Sequence, residues 1–440
     1  MLIRYRRSED GRPVAKAVVY TQAEHKIDRS AIDPDALRIA ERLRESGHEA
    51  YIVGGAVRDL LLGRVPKDFD IVTDAQPARI KRVFRSARVI GRRFRLVHVY
   101  CGQKIFEVCT FRSIANGTVG NEFGTIDEDA HRRDFSLNAL YYDPYDSTLV
   151  DYVGGFRDIA AKRIEPVIPV KTIFKEDAVR MIRCVKYAAI AGFRVPWRLR
   201  RALRRDSSLL AQASSSRLTE EFLKILGSGS SAVIMEGLAR YDLLRHMLPA
   251  CQAEIEASPA YASSLRKALE ELDAHARDPA RERGLSALLA HFLKAFLECR
   301  PEKLADSPEA FREALHESRL FLSPLNPPRV ELEAAVLSVF RKRGLAPAQK
   351  PRTRGFEHGE QRFTRGRGEQ RPGHIEQRPG RGEPWLGHGE PWPTEAPKRA
   401  GAAQQGETPG ASEGAGPSAR RRRRRKKGRS RPQEGQDPEL

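Results

Sequence analysis

Asp68 and Asp70 stand two residues apart in KDFDIVT, residues 67–73, and that spacing points to metal-assisted phosphoryl transfer. If this segment is a strand, alternation puts both carboxylates on one face, their Cα atoms about two rises of 3.3 Å apart. Two negative charges in one small volume repel. A shared proton or a hard, oxygen-seeking cation such as Mg²⁺ relieves them. In a two-ion site the cations sit about 3.5 to 4 Å apart and clamp the attacking and leaving oxygens. A solvated strand end is the plain alternative for any isolated Asp-x-Asp triplet. Just upstream, however, Gly54 and Gly55 are followed by Arg58 and Asp59. Here a strand at 50–53 runs into a turn without side chains, and Val57, Leu60, Leu61 and Leu62 space a short helix after it. Backbone N–H groups at such a turn can face phosphate oxygens.

The surrounding pattern supplies elements to hold these groups. Asp33 caps a helix opened by Pro34, with Leu37, Ala40 and Leu43 facing a sheet and Gly47 ending it. Strands are expected at 50–53, 67–73, 96–101, 105–110 and 138–143, with a helix near 77–85, which together make a small mixed sheet. From 171 to 345 the apolar spacing is helical. In IFEVCTF, residues 105–111, Ile105, Glu107 and Cys109 share one face. Glu107 is thus either a third carboxylate beside the pair or an edge-strand glutamate, and Arg112 after it would meet phosphate. HRRDFSLNAL, residues 131–140, sets two arginines before Asp134 and an amide at Asn138. Arginine is a planar fork for phosphate, and Asp134 or Asn138 could take a ribose hydroxyl or a metal-bound water. An ion pair at a strand start is the structural alternative. On an expected helix from Phe174 to Ala191, Val179, Ile182 and Val185 form an apolar stripe, while Glu176, Asp177, Arg180 and Arg183 share a polar face. Surface salt bridges are the default for that face.

Read in order, GGAVRD with KDFD, EVCTFR (107–112), EDAHRRDFSLNALYY (128–142) and EDAVRMIRCVKYAAIAGF (176–193) resemble the DNA polymerase β-type nucleotidyltransferases. The likeness is to the class shared by bacterial tRNA CCA-adding enzymes and bacterial poly(A) polymerases, and it spans roughly residues 25–250. It implies an α+β fold: an N-terminal polymerase β-like mixed sheet with helices, then an all-α RNA-binding region and a disordered basic tail. The implied divisions are a basic arm (1–30), a catalytic head (31–170), a helical base-recognition and neck region (171–250), a helical RNA-binding body (251–345) and the tail (346–440). It also implies two Mg²⁺ ions held by Asp68 and Asp70, with Glu107 or Asp134 as a further catalytic carboxylate. The nucleotide would meet Gly54, Gly55, Arg58, Arg112, Arg133, Asn138, Asp177, Arg180 and Arg183. In the resembled class the Asp and Arg matching Asp177 and Arg180 read the Watson–Crick edge of the incoming base, so protein replaces a template. The expected reaction is attack of an RNA 3′-hydroxyl on the α-phosphorus of ATP, releasing pyrophosphate.

VIGRRFRLVHV, residues 89–99, looks like the poly(A) polymerase version and gives Arg92 and Arg93 to RNA. GGAVRD, with Ala56 where several poly(A) enzymes carry a third glycine, looks closer to the CCA-adding form, which stands as the alternative. An RNA-binding factor that keeps the fold without catalysis is a third reading, disfavoured by the retention of both Asp68 and Asp70. There is no GxxxxGK[ST] loop, no HExxH and no adjacent His-Asp pair for a phosphohydrolase domain.

The 440 residues are enough for two or three domains, and a net charge of +20 asks for an acidic partner, most economically RNA. Residues 346–440 hold 21 Lys and Arg against 12 Asp and Glu, so +9 of that excess lies in a Gly, Pro, Arg and Glu-rich stretch too poor in apolar residues to fold. Its run Arg420, Arg421, Arg422, Arg423, Arg424, Arg425, Lys426 and Lys427 is either a solubilising tail or a sequence-blind RNA grip. Five scattered cysteines lack metal-ligand spacing and read as reduced. No run of eighteen apolar residues occurs, and the opening MLIRYRRSEDGRP lacks a signal-peptide core. A soluble cytoplasmic protein is therefore expected, working on RNA 3′ ends with RNA-degradation machinery as a partner and without a membrane.

Overall fold

The computed structural model describes residues 2–7, 13–91, 96–115, 117, 120, 122–278, 284–300 and 304–345. The expected groups Arg92, Arg93 and Arg420 to Lys427, and the whole segment 346–440, lie outside them. The first half alternates strands and helices: β1 (Leu2–Arg7), β2 (Pro13–Tyr20), α1 (Gln22–His25), α2 (Pro34–Glu45), β3 (Ala50–Val53), α3 (Gly55–Leu61), β4 (Asp70–Thr73), α4 (Pro77–Val83), β5 (Ala87–Ile90), β6 (Leu96–Cys101), β7 (Lys104–Thr110), α5 (Ile126–His131), β8 (Leu140–Asp143), β9 (Thr148–Asp151) and α6 (Gly155–Ala160). Among the described residues these strands form one sheet in the order β1-β2-β9-β8-β3-β4-β7-β6-β5. All its pairs are antiparallel except β4 with β7.

Asp33 begins α2 as the residue types dictate. Its carboxylate accepts from the Asp35 amide at 2.8 Å, Pro34 opens the first turn, and Gly47 follows the last at φ +82°. The buried face is Ala36, Ile39, Ala40 and Leu43, with Leu37 half-buried, one position rotated from the expected stripe. Fully burying an Ile or Leu side chain contributes about 1.5–3 kcal/mol, which anchors α2 to the sheet.

Three elements differ from expectation. Residues 1–30 are not a loose arm: β2 pairs with β9, and Ala17, Val19, Tyr20 and Ile27 are buried. The alternating VAKAVVY pattern, residues 14–20, was masked in the sequence by its basic neighbours. The strands expected at 67–73 and 138–143 begin only at Asp70 and Leu140. Both lie beside β3, which ends at Val53 because Gly54 turns the chain, so residues before Asp70 find no β3 ladder partner. Finally, the helix expected over 174–191 is broken. It runs as α7 (Ile173–Glu176) and α8 (Val179–Ala191), with Asp177 extended between them at φ −153° and ψ 100°.

The chain from α7 onward contains no strand among its described residues. It continues through α9 (Trp197–Asp206), α10 (Ser215–Leu226), α11 (Ser231–Arg240), α12 (Leu244–Met247), α13 (Pro249–Ala257), α14 (Pro259–Arg277), α15 (Leu285–Glu298), α16 (Pro308–Leu322) and α17 (Arg329–Lys342). One buried apolar cluster extends from Tyr20 to Phe340 and joins one sheet face to these helices. Tyr51, Val53, Val72, Tyr141 and Val150 form a smaller cluster on the other face, with Phe111 and Ala130 of α5 packed on it. Beside this smaller cluster the sheet is open to a cleft.

Candidate active site

The cleft has a volume of about 1380 Å³ and is walled by the sheet on one side and by α7, α8 and α10 on the other. Strand register explains how carboxylates gather in it. Asp70 lies opposite Val53, so the two share a face. Ile71 lies beside Val108 in the parallel pair, which brings Glu107 next to Asp70 on that same face. Asp68, in the irregular segment before β4, also lines the cleft, although not by strand alternation. Gly54 makes the approach possible. Its φ of +71° is a conformation that L side chains rarely adopt, and a Cβ there would touch Asp70 Oδ2 at 3.6 Å and Arg133 Nη1 at 3.9 Å.

Electrostatically this end of the cleft is an acid pole. The Asp70 carboxyl is pushed up to about 6, first by the protein enclosing it, then by Glu107 and Asp68, with Arg133 opposing. Enclosure does not mean inaccessibility, since Asp70 still presents its surface to the cleft. Among the described residues no three His, Cys, Asp or Glu side chains are drawn together as a closed metal cage. A carboxyl whose proton is held by neighbouring negative charge nonetheless fits an incoming hard cation, which would replace that proton. Asp68 and Asp70, with Glu107 adjacent, are the donor set present. Glu107 is exposed, and its Oε1 lies 3.7 Å from His98 Nε2.

A basic pole lies alongside. Arg112, Arg132, Arg133 and Arg180 all line the cleft. The Arg132 guanidinium is held down to about 10, first by burial and next by Arg112, with Arg133 and Arg180 adding to the effect and Asp129 only partly opposing it. Arg133 is held in one orientation. It donates to Asp129 Oδ2 at 2.9 Å, to the Tyr141 hydroxyl at 3.0 Å and to the Asn138 carbonyl at 3.1 Å. Burial opposes the charge on Asp129, but Arg133 and the Tyr141 hydroxyl outweigh it and keep that carboxyl low. Arg58 is buried, gripping Asp59 at 2.9 Å and the Asn138 side-chain oxygen at 3.1 Å. Gly55, Arg58 and Asn138 all border the cleft. As expected nucleotide groups, Arg58 and Asn138 are therefore fixed to each other.

On the helical wall the charges are paired. Asp177 takes a two-pronged contact from Arg217 of α10, at 2.8 and 2.6 Å. The Asp177 carboxylate also accepts from the Val179 amide at 3.1 Å, which accounts for the chain break there. Arg180 reaches Glu176 at 3.2 Å. Arg183 Nε lies 3.0 Å from Asp134 Oδ2 and 3.1 Å from the Tyr187 hydroxyl. Asp134 is thus buried in an ion pair between the head and α8, and its other oxygen accepts from the Phe135 amide. Lys186 and Glu221 form a buried pair beneath. Arg58, Arg183 and Lys186 surround the Tyr187 ring at 5.5, 5.5 and 5.1 Å.

Of the expected site residues, the cleft brings together Gly54, Gly55, Arg58, Asp68, Asp70, Glu107, Arg112, Arg133, Asp134, Asn138, Asp177, Arg180 and Arg183. Residues not singled out from sequence are Asp129, Arg132, Lys186, Tyr187, Arg217 and Glu221. Asp129 and Arg132 lie within a motif already recognised, and Arg132 is one of its two arginines. Arg217 carried no signal, because its partner is 40 positions away.

The mixed sheet with its carboxylate and arginine cleft, backed by helices, defines a polymerase β-like nucleotidyltransferase fold. Residues 50–165 match the family described as "Poly A polymerase head domain", and residues 192–255 match "Probable RNA and SrmB- binding site of polymerase A". Poly(A) polymerase I of Escherichia coli O6:H1 is 40% identical over 260 residues, 55% of this chain and 56% of that protein. The CCA-adding enzyme of Bacillus velezensis is 35% identical over 218 residues, 48% of this chain and 55% of its own length. A solved CCA-adding enzyme complexed with ATP shares the fold, with a TM-score of 0.51 at 20% identity over 74% of this chain and 85% of that one. Over residues 50–255 the chain belongs to the tRNA nucleotidyltransferase/poly(A) polymerase family. It spans about half the length of the curated relatives it matches.

Proposed function

We propose that this protein is a template-independent polynucleotide adenylyltransferase, adding AMP from ATP to RNA 3′-hydroxyl ends with release of pyrophosphate. The observation that carries the reading is the two-pole cleft, an acid pole at Asp70 beside a basic pole at Arg132. A nucleoside triphosphate with divalent cations carries the complementary charges. Asp68 and Asp70 would hold those cations, which supply a lowered hydroxyl pKa and charge neutralisation at the phosphates. Arg112, Arg132 and Arg133 bind and orient the triphosphate, and the Asp129 and Tyr141 bonds keep Arg133 from rotating away. Asp177 and Arg180 face the base, with Arg217 fixing the Asp177 carboxylate. Glu107 acts on Asp70 by its charge. Asp134 positions Arg183 and is the weaker candidate for a catalytic carboxylate, since its charge is already engaged. The sites in use on RNA would be those of 3′-end processing and turnover, in the cytoplasm.

Adenylate addition is favoured by the 40% identity to a poly(A) polymerase against 35% to a CCA-adding enzyme. The CCA-adding reading keeps its own support in the Gly54-Gly55-Ala56 turn, where Ala56 is buried. Extension of a labelled unstructured RNA with ATP alone or CTP alone, beside a tRNA lacking its CCA end, separates them. Long ladders with ATP on the unstructured RNA are expected. Addition confined to the tRNA and ending after CCA would overturn the reading in favour of the alternative, and no extension of either would favour an RNA-binding factor.

A further inference from the structure

The helix α8 has a second functional face. Arg180, Arg183 and Tyr187 look into the cleft, whereas Val185, Ala188 and Ala189 floor a separate groove of about 740 Å³. Across this groove stands α11, held close because Gly237 has no side chain: a Cβ there would lie 2.6 Å from Val185 Cγ1. Trp197, the first residue of α9, forms one lip and is 60% exposed. Arg194, Arg200 and Arg240 complete the rim.

The chemistry of α9 continues outward from that lip. Its inner face is Leu199, Ala202 and Leu203, all buried, while Arg198, Arg200, Arg201 and Arg204 are exposed. Arg198 lies 5.7 Å from the Trp197 ring. Arg200, Arg201 and Arg240 form no ion pair among the described residues. Of the acids at the groove, Glu165 lies 3.5 Å from Arg163 and Glu236 lies 2.9 Å from Arg266, so local carboxylates are already engaged elsewhere. One helical turn advances about 5.4 Å, which places Trp197, Arg201 and Arg204 in a row on one side.

We infer that the groove and the exposed face of α9 bind a single-stranded segment of RNA outside the cleft, with a base stacked on Trp197 and phosphates on Arg198, Arg200 and Arg201. An exposed indole beside adjacent cations is what a sequence-tolerant single-strand site requires. Every base has a π-face for the ring, and every linkage has a charge for the guanidinium groups. Protein surfaces that dock acidic peptides share the cations but do not call for an open aromatic at the mouth of a nucleotide-sized groove. The inference rests on RNA being the substrate, and it adds a holding site upstream of the reacting 3′ end.

The test reads binding in EDTA without nucleotide, so a failure of catalysis leaves it standing. In full-length protein carrying Trp385→Phe and Trp392→Phe, Trp197 is the remaining tryptophan. Unstructured RNA is expected to quench its fluorescence. Trp197→Ala should weaken RNA binding by about 10-fold, and Trp197→Phe should retain most of it. Because Trp197 is largely exposed, truncating it leaves the core intact, which circular dichroism verifies. Replacing Arg198, Arg200 and Arg201 by Gln should reduce the slope of log affinity against log salt by about 2, from three phosphate contacts on a single strand. Unquenched fluorescence with unchanged affinity and slope would overturn the inference and leave this face to a protein partner.

Discussion

The acid and basic poles of the cleft differ from its helical wall in how their charges are balanced. At Asp70 and Arg132, like charges crowd together and drive the two groups in opposite directions, the carboxyl up to about 6 and the guanidinium down to about 10. A few residues away Asp177, Asp134 and Glu221 each have a cation in contact. The difference separates two jobs. Groups that await a charged ligand are left electrostatically strained, while groups that shape a pocket for a neutral base are paired and held still.

Breaking the poles should therefore cost function more than stability, and breaking the pairs should do the reverse. The largest effect is expected for Asp70→Asn or Asp68→Asn. Loss of cation binding worth several kcal/mol lowers RNA extension on the order of 10³-fold, read as the single-turnover rate. In EDTA the same Asp70→Asn change should raise the melting temperature at pH 7. The sign follows from linkage: with its folded value near 6 and its ordinary value 3.8, the folded protein binds more protons between those limits. Stability from this group is present below pH 4 and lost as pH rises through 6, so the advantage of Asn should vanish toward pH 4. A variant less stable than the parent at pH 7 would contradict the acid pole.

Lys186→Ala samples the paired wall. Both partners are buried, and removing one strands the other, which costs about 3–5 kcal/mol in chemical denaturation. A double replacement, Lys186→Met with Glu221→Leu, should recover most of that loss. Arg132→Gln removes a polar contact to charged phosphate worth about 1.5–3 kcal/mol, and so should raise the KM for ATP about 10- to 100-fold without destabilising the fold. Arg217→Ala frees the Asp177 carboxylate and should reduce discrimination between ATP and CTP by about 10-fold, measured as the ratio of kcat/KM values. Glu107→Gln should have the smallest effect. It removes the largest charge acting to raise Asp70, so the pH at which Mn²⁺ binding is half lost should fall by about one unit or less.

The same contrast explains what could be read in advance. The poles were legible because each lies in a short run: Asp68 and Asp70 in KDFD, Arg132 and Arg133 in HRRDF. Strand alternation also placed Glu107 and Cys109 on one face, as the β6–β7 register shows through the burial of Phe106 and Val108. The pairs were not legible. Arg217 and Glu221 sit on α10, 40 and 35 positions from their partners, and only packing of α8 against α10 brings them together. The break at Asp177 escaped notice for a related reason, since helical periodicity continues through a residue whose side chain binds its own backbone two positions on. β1 and β2 were hidden by charge: an edge strand tolerates lysine and arginine on its open side, so basic composition was mistaken for looseness.

The central claim is that one cleft holds a negative pole for cations beside a positive pole for triphosphate. Calorimetric titration of ATP with Mg²⁺ and with EDTA, into the parent protein, Asp70→Asn and Arg132→Gln, tests it most directly. The account predicts that Asp70→Asn keeps the affinity seen in EDTA but loses the enhancement by Mg²⁺, while Arg132→Gln weakens binding under both conditions. Equal Mg²⁺ enhancement in Asp70→Asn and the parent, or undiminished binding in Arg132→Gln, would contradict it.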